Sequence, residues 1–377
     1  MVYVVDYSST IFGRIGGVWS NYKASDLASL VIKDIISRFS YPVELVILGN
    51  VIGAGNGQNL ARQALIKAGM NINTPAFVVN QVCISPIKAL QTAYVNIISS
   101  EYDVVIAGGV ESMTNAPFLV RTRMGNKYGD LVLEDSINTD GLRCAITNKL
   151  MIEIAEVIAK RYGISREEQD ELAYNSHKRA AEFWNSNPQN FVKNPNGSID
   201  ENIRLDVSKD KMASLKPVVR REDATITAGN ASALADGAAA LLLVSERFLK
   251  KYDLKPLCRI VGFAESFEEP ENFPIVPSLS TKSLLKKYSI SKDDIDLWEI
   301  NEAFAAVLAA NMKILELDYS RTNIFGGAVA FGHPIGATGA RLVINSIIGM
   351  KKYNYKKAVV MVCAGSGGGY SVLIENT

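Results

Sequence analysis

The first hundred residues alternate between short apolar runs and stretches with helical spacing. In Asp26–Phe39, apolar residues recur every three or four positions, which predicts a helix with one buried face. Short apolar runs predict buried strands at Val43–Leu48, Ala76–Val79 and Asp103–Ala107. Because these strands alternate with helices, the pattern predicts a parallel or mixed sheet that helices cover on both faces.

The pattern changes between residues 117 and 221. Charged, amphipathic helices are predicted at Ile152–Tyr162 and Arg166–Trp184, and little of this region has the alternation of a strand. We therefore expect an inserted, mostly helical domain at residues 117–221. It would interrupt an N-terminal half that is formed by residues 1–116 and completed by about residues 222–247.

The alternation of the first part returns in residues 248–377, which we expect to form a C-terminal half. Leu297–Ile300 and Val359–Cys363 are predicted strands, and Arg341–Met350 is a predicted helix. The strand that starts at Val104 runs into glycines, as the strand Val359–Cys363 does. This likeness predicts a duplicated α/β mixed-sheet fold, and an α/β sheet protein with unrelated halves is the alternative.

The composition is that of an ordinary folded protein. The 377 residues are 48% hydrophobic and 21% charged, and this length predicts two or three packed units. The 40 basic and 39 acidic side chains nearly balance, so no general nucleic-acid surface is expected. The longest apolar run, Ala238–Val244, is too short to span a membrane, and the start has no signal-peptide pattern.

The four cysteines are widely spaced, and no C-x-x-C pair occurs. This spacing disfavours a structural zinc site and a dense disulfide framework. Free thiols suit a reducing compartment, so we expect a cytoplasmic protein without a metal. The cysteines are Cys83, Cys144, Cys258 and Cys363.

Two glycine-rich runs near the end of the chain carry the strongest chemical signal. Gly326–Pro334 contains His333, and Cys363–Gly369 begins with a thiol. Glycine lets backbone fold tightly around a ligand, while imidazole and thiol groups transfer protons near neutral pH. We interpret the runs as parts of a thiol-based catalytic site; a structural histidine and a core cysteine are the alternatives. The other histidine, His177, has charged neighbours and is expected at the surface.

Two further residues lie at strand-to-helix junctions. Cys83 follows the strand Ala76–Val79 and precedes a helix that begins near Pro86. Unpaired N–H groups at a helix start favour a thiolate, although a buried cysteine also serves as a small apolar residue. Asn301 follows the strand Leu297–Ile300, either as a helix cap or as an amide that holds a water against an oxyanion.

Motifs of nucleotide enzymes and serine hydrolases are incomplete. Gln58 and Tyr370 stand where dinucleotide-binding fingerprints would need their last glycine. Neither a phosphate-binding loop nor a G-x-S-x-G elbow occurs. The sequence therefore disfavours hydride transfer and nucleotide hydrolysis as the function of this protein.

Taken together, these segments resemble the thiolase family, which includes acetyl-CoA acetyltransferases and 3-ketoacyl-CoA thiolases. Gly57–Ala64, Ala107–Met113 and Thr227–Ser232 also match the family, and the segments follow its order almost from end to end. The resemblance implies a duplicated α/β fold with an inserted loop domain. It also implies acyl-CoA substrates and a homodimer or homotetramer.

The resemblance implies a role for each candidate catalytic residue. Cys83 would be the nucleophile that carries the acyl group as a thioester. His333 would activate it and, with a water held by Asn301, bind the thioester oxygen. Cys363 would be the acid or base for the α-proton. The backbone N–H groups of Cys83 and Gly365 would form a second oxyanion hole.

The resemblance also implies where coenzyme A binds, as a substrate and not as an added cofactor. Arg204 matches the family's adenine-side arginine, Ser232 its pantetheine-contacting serine, and Phe304 a further coenzyme A contact. The inserted domain at residues 117–221 would carry much of this surface.

Several residues depart from the family pattern. Ile84 and Pro86 replace small residues after the nucleophile, Leu150 replaces a histidine of some members, and Ile152 and Ser366 replace glycines. The expected function is reversible condensation of two acyl-CoA molecules, or thiolysis of a 3-ketoacyl-CoA. Alternatives are a subunit that works in a complex with a synthase and a small scaffold protein, and a non-catalytic acyl-CoA- or lipid-binding protein.

Overall fold

A computed structural model describes residues 1–186 and 188–377. The strands of the described chain are β1 (Val2–Thr10), β2 (Gly13–Arg14), β3 (Leu45–Gly49), β4 (Ala76–Val79), β5 (Val104–Ser112), β6 (Phe118–Leu119), β7 (Glu134–Asp135), β8 (Phe191–Val192), β9 (Ala235–Ser245), β10 (Cys258–Phe267), β11 (Leu297–Ile300), β12 (Lys357–Ala364) and β13 (Gly368–Asn376).

The α-helices are α1 (Ala24–Arg38), α2 (Leu60–Lys67), α3 (Ser85–Ile98), α4 (Met151–Arg161), α5 (Arg166–Asn185), α6 (Lys209–Ala213), α7 (Glu246–Lys251), α8 (Val276–Tyr288), α9 (Ala305–Leu315), α10 (Ala328–Phe331) and α11 (Thr338–Tyr353). Short 3-10 turns lie at Pro270–Ile275, Lys292–Asp294, Tyr319–Arg321 and Gly365–Gly367, and a π-helical turn lies at Asn138–Leu142.

Eleven strands form one mixed sheet. Nine follow the order β11-β12-β13-β10-β1-β9-β5-β3-β4, while β2 pairs with β9 and β8 pairs with β1. The order β3-β5-β9-β1 is repeated as β11-β12-β13-β10, with one parallel pair followed by two antiparallel pairs in each half. The two halves meet where Val2 of β1 lies opposite Ile260 of β10. The predicted duplicated mixed sheet is confirmed.

Side-chain alternation along the strands builds a layered core. Leu45 and Ile47 of β3 pack in one cluster with residues of α3, α11 and β12, so α3 and α11 lie between the two halves of the sheet. Val46 and Leu48 face the opposite way and pack with α1 and α2. On the outer side of the second half, α8 and α9 cover β11 and β12. The layers are therefore helix, sheet, helix, sheet and helix.

The segment between β5 and β9 is mostly helical, as predicted, and contains α4, α5 and α6. It also adds β8 to the sheet, with Phe191 beside Ser9 of β1. A buried ion pair at 2.9 Å joins Asp200 of this segment to Arg341 of α11. The boundaries at residues 117 and 221 stay a prediction.

None of the helices in the described residues is both long and apolar enough to cross a membrane.

Candidate active site

Cys83 lies in the turn between β4 and α3. Val82, beside it, has a φ of 52°, which is unusual for a β-branched residue. The Ser85 hydroxyl fixes this turn, because it accepts a hydrogen bond from the Gln81 N–H at 2.8 Å and donates one to the Val82 carbonyl at 2.6 Å. The turn places the thiol two residues before the first residue of α3.

The thiol of Cys83 contacts the glycine-rich run Cys363–Gly369 through the Gly365 N–H. Removal of the sulfur from water raises the pKa of Cys83 to about 12, although a hydrogen bond from the Gly365 N–H works in the opposite direction. The nearby Glu111 carboxylate raises this pKa further. The expectation that the start of α3 favours a thiolate is therefore wrong for the free protein, because desolvation outweighs the N–H groups. Cys83 rests as a thiol.

Cys363 is buried at the end of β12. Burial raises the pKa of its thiol, and repulsion from Cys83 raises it further. The Gly365 N–H, two residues after Cys363, donates to the Cys83 sulfur, so the fold places the two distant cysteines in one site. Both are free cysteines.

His333 follows α10 in a loop that needs glycine before it. Gly332 has a φ of 91°, and a Cβ there would lie 2.5 Å from Nδ2 of Asn202. The His333 N–H donates to the Ala233 carbonyl at 2.9 Å. Burial lowers the pKa of His333 to about 4, so the imidazole is neutral near pH 7.

Hydrogen bonds define which imidazole nitrogen carries the proton. The Thr338 hydroxyl donates to the Pro334 carbonyl at 3.0 Å, so its oxygen accepts from Nδ1–H of His333 at 2.7 Å. Nε2 then has a free lone pair, which accepts from Nδ2–H of Asn301 at 3.3 Å. The nitrogen without a proton is thus the one beside Asn301.

Asn301 extends the β11–β12 pairing, because its N–H donates to the Met361 carbonyl at 2.9 Å. It does not cap the next helix, since α9 begins at Ala305 and Phe304 precedes it. Its Oδ1 is buried and has no hydrogen-bond donor within the described chain. This leaves a polar atom for a ligand or a water, and the cap alternative is wrong.

A cavity of about 260 Å³ adjoins His333. Ser232 and Phe304 line it, as do Leu150 and Ile152, two of the residues that depart from the family pattern. The walls are mostly apolar; the other lining residues are Met113, Asn138, Leu142, Met151, Val218, Ala231, Ala233, Leu234 and Ile335.

Arg204 lies outside this lining. Its side chain is exposed, and Nη2 donates to the Ala228 carbonyl at 3.2 Å. Its backbone N–H donates at 3.1 Å to Nδ1 of His177. The prediction that His177 lies at the surface is wrong: α5 turns it inward, and burial lowers its pKa to about 4.

Sequence reasoning gave no role to Thr338 or to Glu111. Thr338 lies five residues after His333, and Glu111 is the last residue but one of β5; neither has the unusual local sequence that marks Cys83, His333 and Cys363. No group of three or more histidine, cysteine or carboxylate side chains in residues 1–186 and 188–377 is arranged to hold a metal ion.

Comparison with known proteins assigns the family. Residues 2–247 match the family model of the thiolase N-terminal domain, and residues 254–376 match that of the thiolase C-terminal domain. The chain belongs to the thiolase family. It is therefore an acyltransferase with thiolase activity, as the sequence predicts.

Named relatives cover nearly the whole thiolase chain. The mitochondrial acetyl-CoA acetyltransferase of Bos taurus is 39% identical over 393 residues, which cover 99% of this chain and 91% of the relative. The mitochondrial enzyme of Homo sapiens is also 39% identical, over 99% of this chain and 90% of its own. A crystal structure of the Bacillus anthracis acetyl-CoA acetyltransferase has a TM-score of 0.97 at 35% identity, covering 100% of this chain and 98% of its own. The predicted thiolase-type fold is confirmed.

Proposed function

We propose that this thiolase converts two acetyl-CoA molecules to acetoacetyl-CoA and free coenzyme A, reversibly, with the acetyl group carried on Cys83. The observation behind the proposal is that the Cys83 thiol lies against the Gly365 N–H, two residues after Cys363, so the two thiols share one site. A carbon–carbon bond between thioesters needs a covalent acyl carrier, a separate base and bound oxyanions. The relatives' names, acetyl-CoA acetyltransferase, support the acetyl group.

In the first half-reaction Cys83 would become acetylated. Its thiol proton passes to Nε2 of His333, the nitrogen that carries no proton, while the sulfur attacks the thioester carbonyl. The carbonyl oxygen becomes an oxyanion that accepts from the N–H groups of Cys83 and Gly365. The C–S bond to coenzyme A then breaks, and the leaving thiolate takes the proton from Nε2. Imidazole is neutral again at the end.

In the second half-reaction Cys363 would act on the second acetyl-CoA. Burial is the main cause of the raised pKa of Cys363, and acetylation of Cys83 removes the smaller contribution from repulsion between the thiols. The thiol proton of Cys363 passes to Nε2 of His333, the Cys363 thiolate takes the α-proton, and the enolate oxygen accepts from the protonated Nε2 beside Asn301. The carbanion attacks the acetyl carbonyl, the bond to Cys83 breaks, and the Cys83 thiolate takes the proton from Nε2, so both thiols and the neutral imidazole are restored.

The cavity favours a short acyl chain attached to a pantetheine arm. Ile152, which stands where the family pattern has a glycine, and Leu150 take up space in the wall beside His333. Ser232 and Phe304 would contact the pantetheine arm, and the exposed Arg204 would contact the adenine end. Coenzyme A would take part as substrate and product, and we expect no added cofactor.

The cytoplasmic location and the homodimeric or homotetrameric assembly stay predictions. The Bos taurus and Homo sapiens relatives carry the word mitochondrial in their names, so location needs its own experiment. Fractionation of the source cells tests the location, and light scattering on the purified protein tests the assembly.

Acetyl transfer provides the decisive test. Wild-type protein, Cys83→Ala and the matched control Cys258→Ala, whose cysteine is buried in β10, are incubated with acetyl-CoA. We expect an acetyl group on Cys83 in the wild type and control, no acetyl-enzyme in Cys83→Ala, and loss of acetoacetyl-CoA thiolysis in that variant alone. Thiolysis by Cys83→Ala at the wild-type rate would reject the proposal.

A further inference from the structure

Glu111 is a buried carboxylate that the proposed reaction does not use. It lies near the end of β5, opposite Gly237 of β9. Each of its two oxygens accepts two hydrogen bonds. Oε1 accepts from Asn50 Nδ2 at 2.7 Å and from the Ile52 N–H at 3.2 Å. Oε2 accepts from the Val51 N–H at 3.1 Å and from the Gly336 N–H at 3.0 Å.

One set of these donors supports the nucleophile. Val51, which donates to Glu111, accepts through its carbonyl from Asn80 Nδ2 at 3.2 Å. Asn80 Oδ1 accepts in turn from the Val82 N–H at 3.1 Å. Val82 is the residue with the unusual positive φ next to Cys83. A continuous series of hydrogen bonds therefore links Glu111 to the turn that carries Cys83.

The remaining donor belongs to the histidine loop. Gly336 follows His333 by three residues and packs tightly against β5. A Cβ on Gly336 would lie 2.4 Å from the Val110 carbonyl oxygen and 2.9 Å from Oε2 of Glu111. The loop therefore has no room to shift toward the strand, and the Gly336–Glu111 hydrogen bond fixes it from that side.

We propose that Glu111 is a positioning residue of this thiolase: its two carboxylate oxygens hold the Cys83 turn and the His333 loop in a fixed relation to each other. Oε2 accepts from both Val51 and Gly336, so its loss as an acceptor releases the Cys83 turn and the His333 loop together. The inference rests on the proposed roles of Cys83 and His333.

The charge on Glu111 gives this role a pH signature. Burial raises the pKa of Glu111 to about 7, against the N–H groups of Ile52, Val51 and Gly336 that stabilise the anion. The titratable groups that face it are Asp236 on β9, which raises this pKa, and the Cys83 thiol. No lysine, arginine or histidine in the described ranges forms an ion pair with it. A proton on Oε2 of Glu111 turns this acceptor into a donor, so the Val51 and Gly336 N–H groups lose their partner.

The pKa values of Cys83 and His333 lie far from 7. The pKa of Cys83 is raised by burial to about 12, and that of His333 is lowered by burial to about 4. The rate at which Cys83 becomes acetylated should therefore rise through a single apparent pKa near 7 and then level off, as Glu111 ionises.

The test compares Glu111→Gln with Glu156→Gln. Glutamine keeps one acceptor oxygen but places an NH₂ group against two N–H donors. Glu156 is a matched control, because it is also buried and accepts from the Thr225 and Ile226 N–H groups at α4, away from the Cys83 turn and the His333 loop. The probe is acetyl-CoA, and the readout is the rate of Cys83 acetylation by mass spectrometry from pH 5.5 to 8.5.

We expect Cys83 of the Glu111→Gln variant to be acetylated about 10- to 100-fold more slowly, with little change in KM. The rise in rate near pH 7 should also be absent. Glu156→Gln should keep the wild-type rate and its rise near pH 7. A Glu111→Gln protein with the wild-type rate and profile would overturn the positioning role while Cys83 acetylation stands. Should this variant not fold, the wild-type profile decides, because a flat or steadily rising rate contradicts the role. Absence of Cys83 acetylation in the wild type would instead reject the proposed function.

Discussion

The hydrogen bond between Thr338 and His333 offers a direct test of how the imidazole is oriented. Replacing Thr338 by valine keeps the shape of the side chain and removes the hydroxyl that contacts Nδ1 of His333 at 2.7 Å. Both residues are buried, so water has little access to the freed Nδ1–H. The imidazole then either leaves this N–H without a partner or moves its proton to Nε2. In the second case Nε2 can no longer accept the proton of Cys83.

The unpaired Nδ1–H and the proton shifted to Nε2 each raise the barrier to acetylation by a similar amount. A buried donor without a partner costs about 1–3 kcal/mol. At about 1.4 kcal/mol for each factor of ten, this corresponds to a rate roughly 5- to 150-fold slower. The cavity that would bind the pantetheine arm does not include Thr338, so KM should change little.

The assay is the rate of Cys83 acetylation by acetyl-CoA, measured for Thr338→Val and for the matched control Thr338→Ser. Serine keeps the hydroxyl, so its rate should stay within a few-fold of wild type. Thermal unfolding of each variant checks that the fold is intact. The reasoning is refuted if Thr338→Val reacts as fast as the wild type, or if Thr338→Ser is as slow as Thr338→Val.

Three further predictions concern stability. Ser366 is exposed and has a φ of 68°, a conformation that costs a non-glycine residue about 1–2 kcal/mol. Ser366→Gly should therefore raise the free energy of unfolding, measured by urea denaturation, by up to about 1 kcal/mol. Arg341→Met leaves Asp200 as a buried charge and should cost about 3–5 kcal/mol; an unchanged urea midpoint contradicts this. Burial, and then Glu302, raise the pKa of Glu299 above 4.5, so the folded protein binds this proton more tightly and loses stability as pH rises. Glu299→Gln should therefore be more stable than wild type at pH 8, with a smaller difference at pH 5, and equal differences would disprove it.

The strands predicted best are those whose apolar runs end sharply. Ala76–Val79 and Leu297–Ile300 appear with the predicted bounds, because each is a short apolar run followed by polar residues. β13 (Gly368–Asn376) was not predicted, because its first two residues belong to a glycine run that reads as a loop. The backbone of Gly369 packs against α8, and a Cβ on Gly369 would lie 2.4 Å from the Val276 carbonyl carbon. Glycine is therefore required here by tertiary packing, which leaves no periodic pattern in the sequence.

The candidate site was predictable where a chemical group stands in an unusual local sequence. Cys83, His333 and Cys363 have such surroundings, while the supporting residues do not. Glu111 looks like the polar end of a strand, and its four donors come from segments far apart in the chain. The error at His177 was avoidable, because Ala173, Ser176, His177 and Ala180 follow helical spacing and share the buried face of α5. The charged neighbours Lys178 and Arg179 concealed this pattern.

The central claim is that two thiols share one site, with one carrying the acetyl group and the other moving the α-proton. The most direct measurement is peptide mapping by mass spectrometry of Cys363→Ala protein after incubation with acetyl-CoA. We expect the acetyl group to accumulate on Cys83 while the rate of condensation falls by about 10²–10⁴-fold. Acetylation of another residue, or condensation at the wild-type rate, would contradict it.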